Sequence, residues 1–188
     1  MQILVRRLLA LATLLLATTV HAAPFSYTNV DVSILSTELI NSDLDGDGVL
    51  VRGSFAFHPS FFMIGSLSDI GYDDDVDGFA WTVGVGGHMP INNQLDLVGR
   101  LSYVNQNLEY DGGDNDDNGY TLSGAVRWMV IEKLELEGGV QHVSLDDSGN
   151  ETFLFGEGRY HFTDRFAGGV IVQLGDASAF GVHVRFSF

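Results

Sequence analysis

The 188-residue chain carries 25 Asp and Glu against nine Lys and Arg, a formal net charge of −16, and no cysteine. That acidity excludes a general nucleic-acid binder, which needs basic groups to meet phosphates, and the absence of Cys excludes a disulfide framework. Hydrophobic residues make up 45% of the chain, yet beyond the amino terminus they never run to the ~18 consecutive apolar positions that a membrane helix needs.

The amino terminus reads as an export signal. Arg6 and Arg7 form a positive region, Leu8 to Leu16 a short apolar core, and Val20-His21-Ala22 a small-residue cleavage site. Cleavage is expected after Ala22, because cutting after Ala23 would leave Pro24 directly behind the cut. An uncleaved anchor helix is the alternative, and the lack of a following stop-transfer pattern argues against it. The expected division is therefore a signal peptide over 1–22 and one domain over 23–188. Removing Arg6 and Arg7 leaves seven basic residues against 25 acids, a net charge of −18 for the domain.

Period-two alternation predicts strands near 25–35, 48–58, 61–70, 78–89, 95–108, 119–130, 134–144, 151–162, 166–174 and 179–188. The last is the clearest: Phe180, Val182, Val184, Phe186 and Phe188 share one face, while Gly181, His183, Arg185 and Ser187 share the other. The connections alternate in kind. His58-Pro59-Ser60, Pro90 to Gln94, Ile131-Glu132-Lys133 and Thr163-Asp164-Arg165 are tight. The segments near 36–47, 71–77, 109–118, 145–150 and 175–178 are mostly longer, rich in Asp and Gly, and free of Lys and Arg. Short turns at one end and longer loops at the other fit an all-β chain closed as an antiparallel up-and-down transmembrane barrel. Ten strands are predicted, with eight as the alternative. An even number puts both termini at the short-turn side.

Face assignment gives such a barrel its chemistry. Val51, Phe55, Phe57, Phe79, Trp81, Leu101, Tyr103, Leu122, Trp128, Leu136, Leu154, Tyr160, Val170 and Val172 are expected to face lipid. Ser54, Ala56, Thr82, Gly84, Ser102, Thr121, Ser123 and Gln141 are expected to face inward. So are Arg52, Arg100, Arg127, Arg159 and Arg185, because an arginine facing lipid at mid-depth costs ~2–4 kcal/mol. These five are expected to form a luminal charge network with Glu135, Glu137 and Glu157, and with Asp31 as a further candidate acid. Gly84, Gly86, Gly99, Gly138, Gly156, Gly158 and Gly168 are expected to give room to long inward side chains. A ten-stranded lumen is narrow, so a wide diffusion pore is not expected, though a thin water path is compatible with it.

The acidic connections hold a repeated pattern. Asp43-Leu-Asp45-Gly-Asp47-Gly48, Asp73-Asp-Asp75-Val-Asp77-Gly78 and Asp114-Asn-Asp116-Asp-Asn118-Gly119 match the first half of a calcium loop, with a weaker copy at Asp146 to Glu151. The second half fails, since Ser54 stands where a bidentate Glu is needed. Two readings stay open. Asp, Asn and Gly form turns well, or these segments hold Ca²⁺ or Mg²⁺ weakly, shared with lipopolysaccharide phosphates. Candidate ligands on the second reading are Asp43, Asp45, Asp47, Asp73, Asp75, Asp77, Asp114, Asp116 and Asn118. His58, His88 and His161 lie beside predicted short turns and read as rim residues. His183 and Ser187, with Glu157 as a third member, suggest a hydrolase pair, but four residues along one strand are ~13 Å apart. No catalytic residue and no cofactor is expected.

The signal peptide, the alternating strands, the D-x-D-G approaches to alternate strands and the terminal Phe188 resemble small outer-membrane β-barrel proteins of Gram-negative bacteria, of the OmpA/OmpX-like group. His58-Pro59-Ser60-Phe61, Gly78-Phe79-Ala80-Trp81 and Val184-Arg185-Phe186-Ser187-Phe188 are further similar to barrels of roughly this length regulated by diffusible signal factor. The resemblance implies an inserted, porin-like barrel of undefined biochemical activity; outer-membrane lipid and lipopolysaccharide are the expected partners, and a monomer the expected state. It also implies that the barrel-assembly machinery reads the last strand through Phe180, Val182, Val184, Phe186 and Phe188. The periplasmic cell-wall-binding domain of full OmpA-type proteins has no counterpart in this sequence. A structural and surface-interaction role through the acidic loops is the leading expectation. A narrow channel for ions or small solutes comes next, and a lipid-modifying enzyme or a soluble lipocalin-like barrel is least favoured.

Overall fold

A computed structural model describes residues 25–39, 44–73, 76–110, 113–175 and 177–188; the expected signal peptide, Asp43 and Asp75 lie outside the described residues. Ten antiparallel strands close into one barrel. They are β1 (Asn29–Leu39), β2 (Leu44–His58), β3 (Phe61–Tyr72), β4 (Val76–Asn92), β5 (Leu95–Tyr110), β6 (Gly113–Ile131), β7 (Leu134–Leu145), β8 (Gly149–His161), β9 (Phe166–Leu174) and β10 (Ala177–Ser187). Each strand pairs with its sequence neighbours, and β1 pairs with β10 from Asn29↔Ser187 to Leu39↔Ala177 to seal the cylinder. Closure leaves no sheet edge, so every strand has its ladder satisfied on both sides.

The exterior is apolar and the interior polar around the middle of the wall. Ile34, Phe55, Leu67, Val83, Leu101, Leu122, Leu154, Phe180, Val182 and Val184 are all exposed, while Asp31, Arg127, Glu135, Glu157, Arg159 and Arg185 are buried. A soluble fold would bury the first set and solvate the second. This inversion is that of a barrel standing in lipid.

Three findings correct the expectations from sequence. First, among the described residues, much of the acidic segments near 36–47, 71–77 and 109–118 is strand, not loop, while 146–148 is turn as expected. The ladder between β1 and β2 continues through Glu38↔Asp45, and that between β5 and β6 through Glu109↔Asp114. Asp and Gly are poor strand formers, but the register set lower in the wall carries the pairing through them. The 19 residues of β6 far exceed the ~10 that a tilted transmembrane strand needs, so the long hairpins stand above the apolar band. Second, residues 25–28 are not strand: Phe25 and Tyr27 turn into the lumen, where both are buried. Third, Gly99, Gly138, Gly156, Gly158 and Gly168 share their faces with exposed Leu101, Val140, Leu154, Tyr160 and Val170, so they open no space inside. Gly86 does: a Cβ there would run into the Phe62 ring.

The lumen is also less polar than alternation alone suggested. Phe62, Val98, Val104, Phe153 and Ile171 are inward and buried. Strands with apolar residues on both faces give no period-two signal. At the short-turn end, register shifts between Ala56 and His58, Pro90 and Asn92, and Met129 and Ile131 bring β2, β4 and β6 into their two-residue turns.

Placing a charge on the outer wall tests this arrangement. Val182→Arg should lower unfolding stability in lipid bilayers by ~2–4 kcal/mol, whereas Ser178→Arg, near the end of β10, should cost less than half as much, both read from urea titrations.

Candidate functional site

The most concentrated chemistry lies inside the wall. Seven strands contribute to one continuous ion-pair layer. Asp31 on β1 stands in register with Arg185 on β10 and Arg52 on β2. Arg185 grips Asp31 with two parallel bonds, Nε to Oδ1 at 2.8 Å and Nη2 to Oδ2 at 2.7 Å. Arg52 bonds Glu157 on β8, with one contact at 3.1 Å, and lies 4.0 Å from Asp31. Arg159, also on β8, reaches Glu135, Glu137 at 3.0 Å, and Glu157. Arg127 on β6 donates to Glu135 from Nε at 3.0 Å and Nη2 at 2.7 Å, and Arg100 on β5 to Glu137 at 2.5 Å. His161 adds a contact to Glu135 at 3.1 Å.

Strand parity and register explain the layer. Inward parity fixes these residues on facing positions, with Glu135↔Arg159 and Arg127↔Glu137 directly in register. Glu137↔Glu157 is a like-charge pair, and Arg159 lies between its two carboxylates. Arg159 and Glu135 are each only 1% exposed, so the pairing has to compensate two costly desolvations. Charge-assisted, bidentate geometry is the form that does so best.

A second cluster sits toward the short-turn end. Tyr27 stacks on His88 at 4.0 Å and on Phe62 at 4.8 Å between ring centroids. Its hydroxyl donates to Asp96 Oδ2 at 2.9 Å, which His88 Nδ1 also contacts at 3.0 Å. The Arg127 guanidinium lies 4.8 Å from the Phe25 ring and 4.6 Å from the Tyr27 ring, within cation–π range. Val98, Ala125 and Met129 complete this cluster. Phe25, Tyr27 and Asp96 escaped the reading of the sequence. Their contribution depends on a chain reversal before β1 that no periodicity announces, although a buried acid beside two aromatics is a recognisable pattern once the strand start is moved to Asn29.

The remaining candidate residues are dispersed. Asp45 and Asp47 share the outward face of exposed Val49 and Val51; Asp77 shares that of Phe79; Asp114, Asp116 and Asn118 share that of Tyr120 and Leu122. Asp73 sits at the end of the β3–β4 hairpin. Alternate residues along an extended strand lie ~6.6 Å apart, so these oxygens do not converge as in a calcium loop. Among the described residues no three His, Asp or Glu side chains form a group able to hold a metal. Asn118 Nδ2 instead donates to Asp146 at 2.6 Å, and Asp117 accepts the backbone N–H groups of Ser148 at 2.7 Å and Asp147 at 3.2 Å. These contacts, Ser148 first, hold the Asp117 carboxyl below its usual pKa. His183 and Ser187 are both buried, and neither ring nitrogen of His183 has a partner, so the structure brings no nucleophile–base pair together there. Phe180, Val182 and Val184 are exposed outward, and Phe188 follows the end of β10 with its N–H donated to Thr28 O at 3.1 Å.

Arg159→Met would leave Glu135, Glu137 and Glu157 with one fewer cation in a buried layer. It should cost ~3–5 kcal/mol in urea unfolding followed by heat-modifiable gel migration, whereas Arg165→Met in the β8–β9 turn should change stability by less than ~0.5 kcal/mol.

Comparison with known proteins agrees with this geometry. The YfaZ precursor family model matches residues 10–164. No curated protein matches the chain. Among solved structures, a KdgM porin in complex with disordered oligogalacturonate superposes with a TM-score of 0.51 at 13% identity, covering 85% of this chain and 99% of that one. At that identity the likeness speaks for the fold alone. A NanC porin gives a TM-score of 0.48 at 10% identity, covering 85% of this chain and 100% of that one. The attachment invasion locus protein Ail of Yersinia pestis gives 0.44 at 15% identity, covering 86% and 97%. With its apolar exterior, its charged lumen and a family match over most of its length, the chain is an outer-membrane β-barrel and belongs to the YfaZ precursor family.

Proposed function

We propose that the protein is a sealed outer-membrane barrel with a structural and surface-interaction role, exercised at its acidic extracellular rim. The observation that carries this reading is the lumen. It is crossed by the ion-pair layer and again by the aromatic cluster, where Arg52, Arg100, Arg127, Arg159 and Arg185 face Asp31, Asp96, Glu135, Glu137 and Glu157, and Asp117 and Glu151 higher in the wall add further inward acids. An acidic oligosaccharide of the kind named with the KdgM porin would find no surplus of positive charge to draw it in. Catalysis has no part in this reading.

At the rim, Glu38, Asp45, Asp47, Asp69, Asp77, Glu109, Asp114 and Asp116 follow the outward parity of the lipid-facing wall, above the apolar band. Glu38↔Asp45, Asp77↔Glu109 and Glu109↔Asp114 are like-charge pairs directly across the ladder, an arrangement that is destabilising by itself. At this height the wall meets the phosphate-bearing headgroups of lipopolysaccharide. Ca²⁺ or Mg²⁺ shared between collar and phosphates relieves both sets of repulsion without a private binding cage. The outward run Phe180, Val182, Val184, Phe186 and Phe188 is proposed as the segment that the barrel-assembly machinery reads.

Two measurements test the reading. The purified barrel should give no conductance steps in planar bilayers; steady single-channel openings would favour the narrow-channel alternative. In lipopolysaccharide-containing bilayers, millimolar Mg²⁺ should raise the unfolding temperature relative to EDTA. That rise should shrink at least by half in the variant combining Asp45→Asn, Asp47→Asn, Asp114→Asn and Asp116→Asn. An equal rise in both proteins would remove the collar from the account.

A further inference from the structure

The ion-pair layer and the aromatic cluster differ in how they are held. Every member of the ion-pair layer belongs to a strand or its turn-side end, and strands are paired on both sides. Residues 25–28 occupy the lumen without belonging to a strand. Their backbone is tied at isolated points: Thr28 O accepts from Phe188 N–H at 3.1 Å, Tyr27 O from Ser54 Oγ at 2.9 Å, and Ser26 O from Asn29 Nδ2 at 3.2 Å. Arg127 adds a long contact to Ser26 O at 3.4 Å. Ala56 N–H donates to Thr28 Oγ1 at 3.1 Å, and Ser26 Oγ bonds Thr28 within the segment. The remainder is ring stacking, the Arg127 cation–π contacts to Phe25 and Tyr27, and one hydroxyl–carboxylate bond.

From this contrast we propose that residues 25–28 form a displaceable stopper, which leaves the periplasmic mouth while the barrel stays folded and opens a cup below the ion-pair layer. Local opening of a short segment without ladder bonds costs less than opening a closed wall. The groups left behind keep partners of their own. Arg127 retains Glu135, and Asp96 retains His88. Asp96 Oδ1, fully buried and without a partner in the closed state, becomes hydrated when the segment leaves. That hydration offsets part of the cost of exposing the Phe25 and Tyr27 rings. The vacated cup is lined by Phe62, His88, Asp96, Val98, Arg127 and Met129. The ion-pair layer above it stays shut, so this motion is compatible with a barrel that conducts nothing.

The chain has no cysteine, so a single introduced thiol reports cleanly. Met129→Cys places one beneath the stopper. A membrane-impermeant maleimide should label it in the folded protein faster than the barrel unfolds, unfolding being followed on the same sample by heat-modifiable migration. Adding Tyr27→Ala, which removes the stacking and the bond to Asp96, should raise the labelling rate at least tenfold while migration still reports a folded barrel. Phe25→Ala serves the same purpose if the Tyr27 variant does not fold. Labelling that only keeps pace with unfolding, or a rate unchanged by loss of the aromatic ring in a folded barrel, would overturn the proposal.

Discussion

The fold depends on guanidinium and carboxylate groups being matched inside a wall whose outer face is hydrocarbon. Five arginines on strands that cross a membrane have two places to go. Facing outward, each costs several kcal/mol; facing inward unpaired, each is a desolvated ion. The structure resolves this by register. Asp31 lies across from both Arg52 and Arg185, Glu135 from Arg159, and Glu137 from Arg127. A slip of one residue in any of these ladders would send its arginine into lipid and its neighbour (Val51, Val126, Tyr160 or Val184) into the lumen. The ion-pair layer thus specifies the register of the strands that carry it, whatever its net contribution to stability.

The crowding of the lumen and the character of the rim follow from the same parity. Inward positions carry the charge layer, the Tyr27–His88–Phe62 stack, and Val104, Phe153 and Ile171, so large side chains occupy the lumen, as expected for a barrel this small. Outward positions remain apolar until the strands rise above the bilayer, where the same faces turn acidic. One alternating pattern therefore produces a lipid contact at mid-height and a negatively charged collar at the top. The role proposed for the rim comes from that change along each strand rather than from any single aspartate.

Much of this was legible in the sequence because two solvents impose a strict period. The ten strands, their antiparallel order and the inward direction of Arg52, Arg100, Arg127, Arg159 and Arg185 all follow from alternation and from the cost of charge in lipid. Three features were not legible. The strand extensions through Asp45, Asp77 and Asp114 were hidden because local propensity favours turns there, while the hydrogen-bond register is inherited from below. The inward turn of Phe25 and Tyr27 was hidden because their spacing is also that of a strand. The buried Phe62, Val98 and Phe153 were hidden because their strands are apolar on both faces. In each case a long-range pairing overrides a local signal.

The central claim is the inversion itself, and spin labels placed one at a time along 180–187 read it directly. Labels at Phe180, Val182, Val184 and Phe186 should collide readily with oxygen dissolved in the bilayer. Labels at Gly181, His183 and Arg185, in variants verified as folded, should be shielded from it. Reversed alternation, or no alternation at all, would contradict the account.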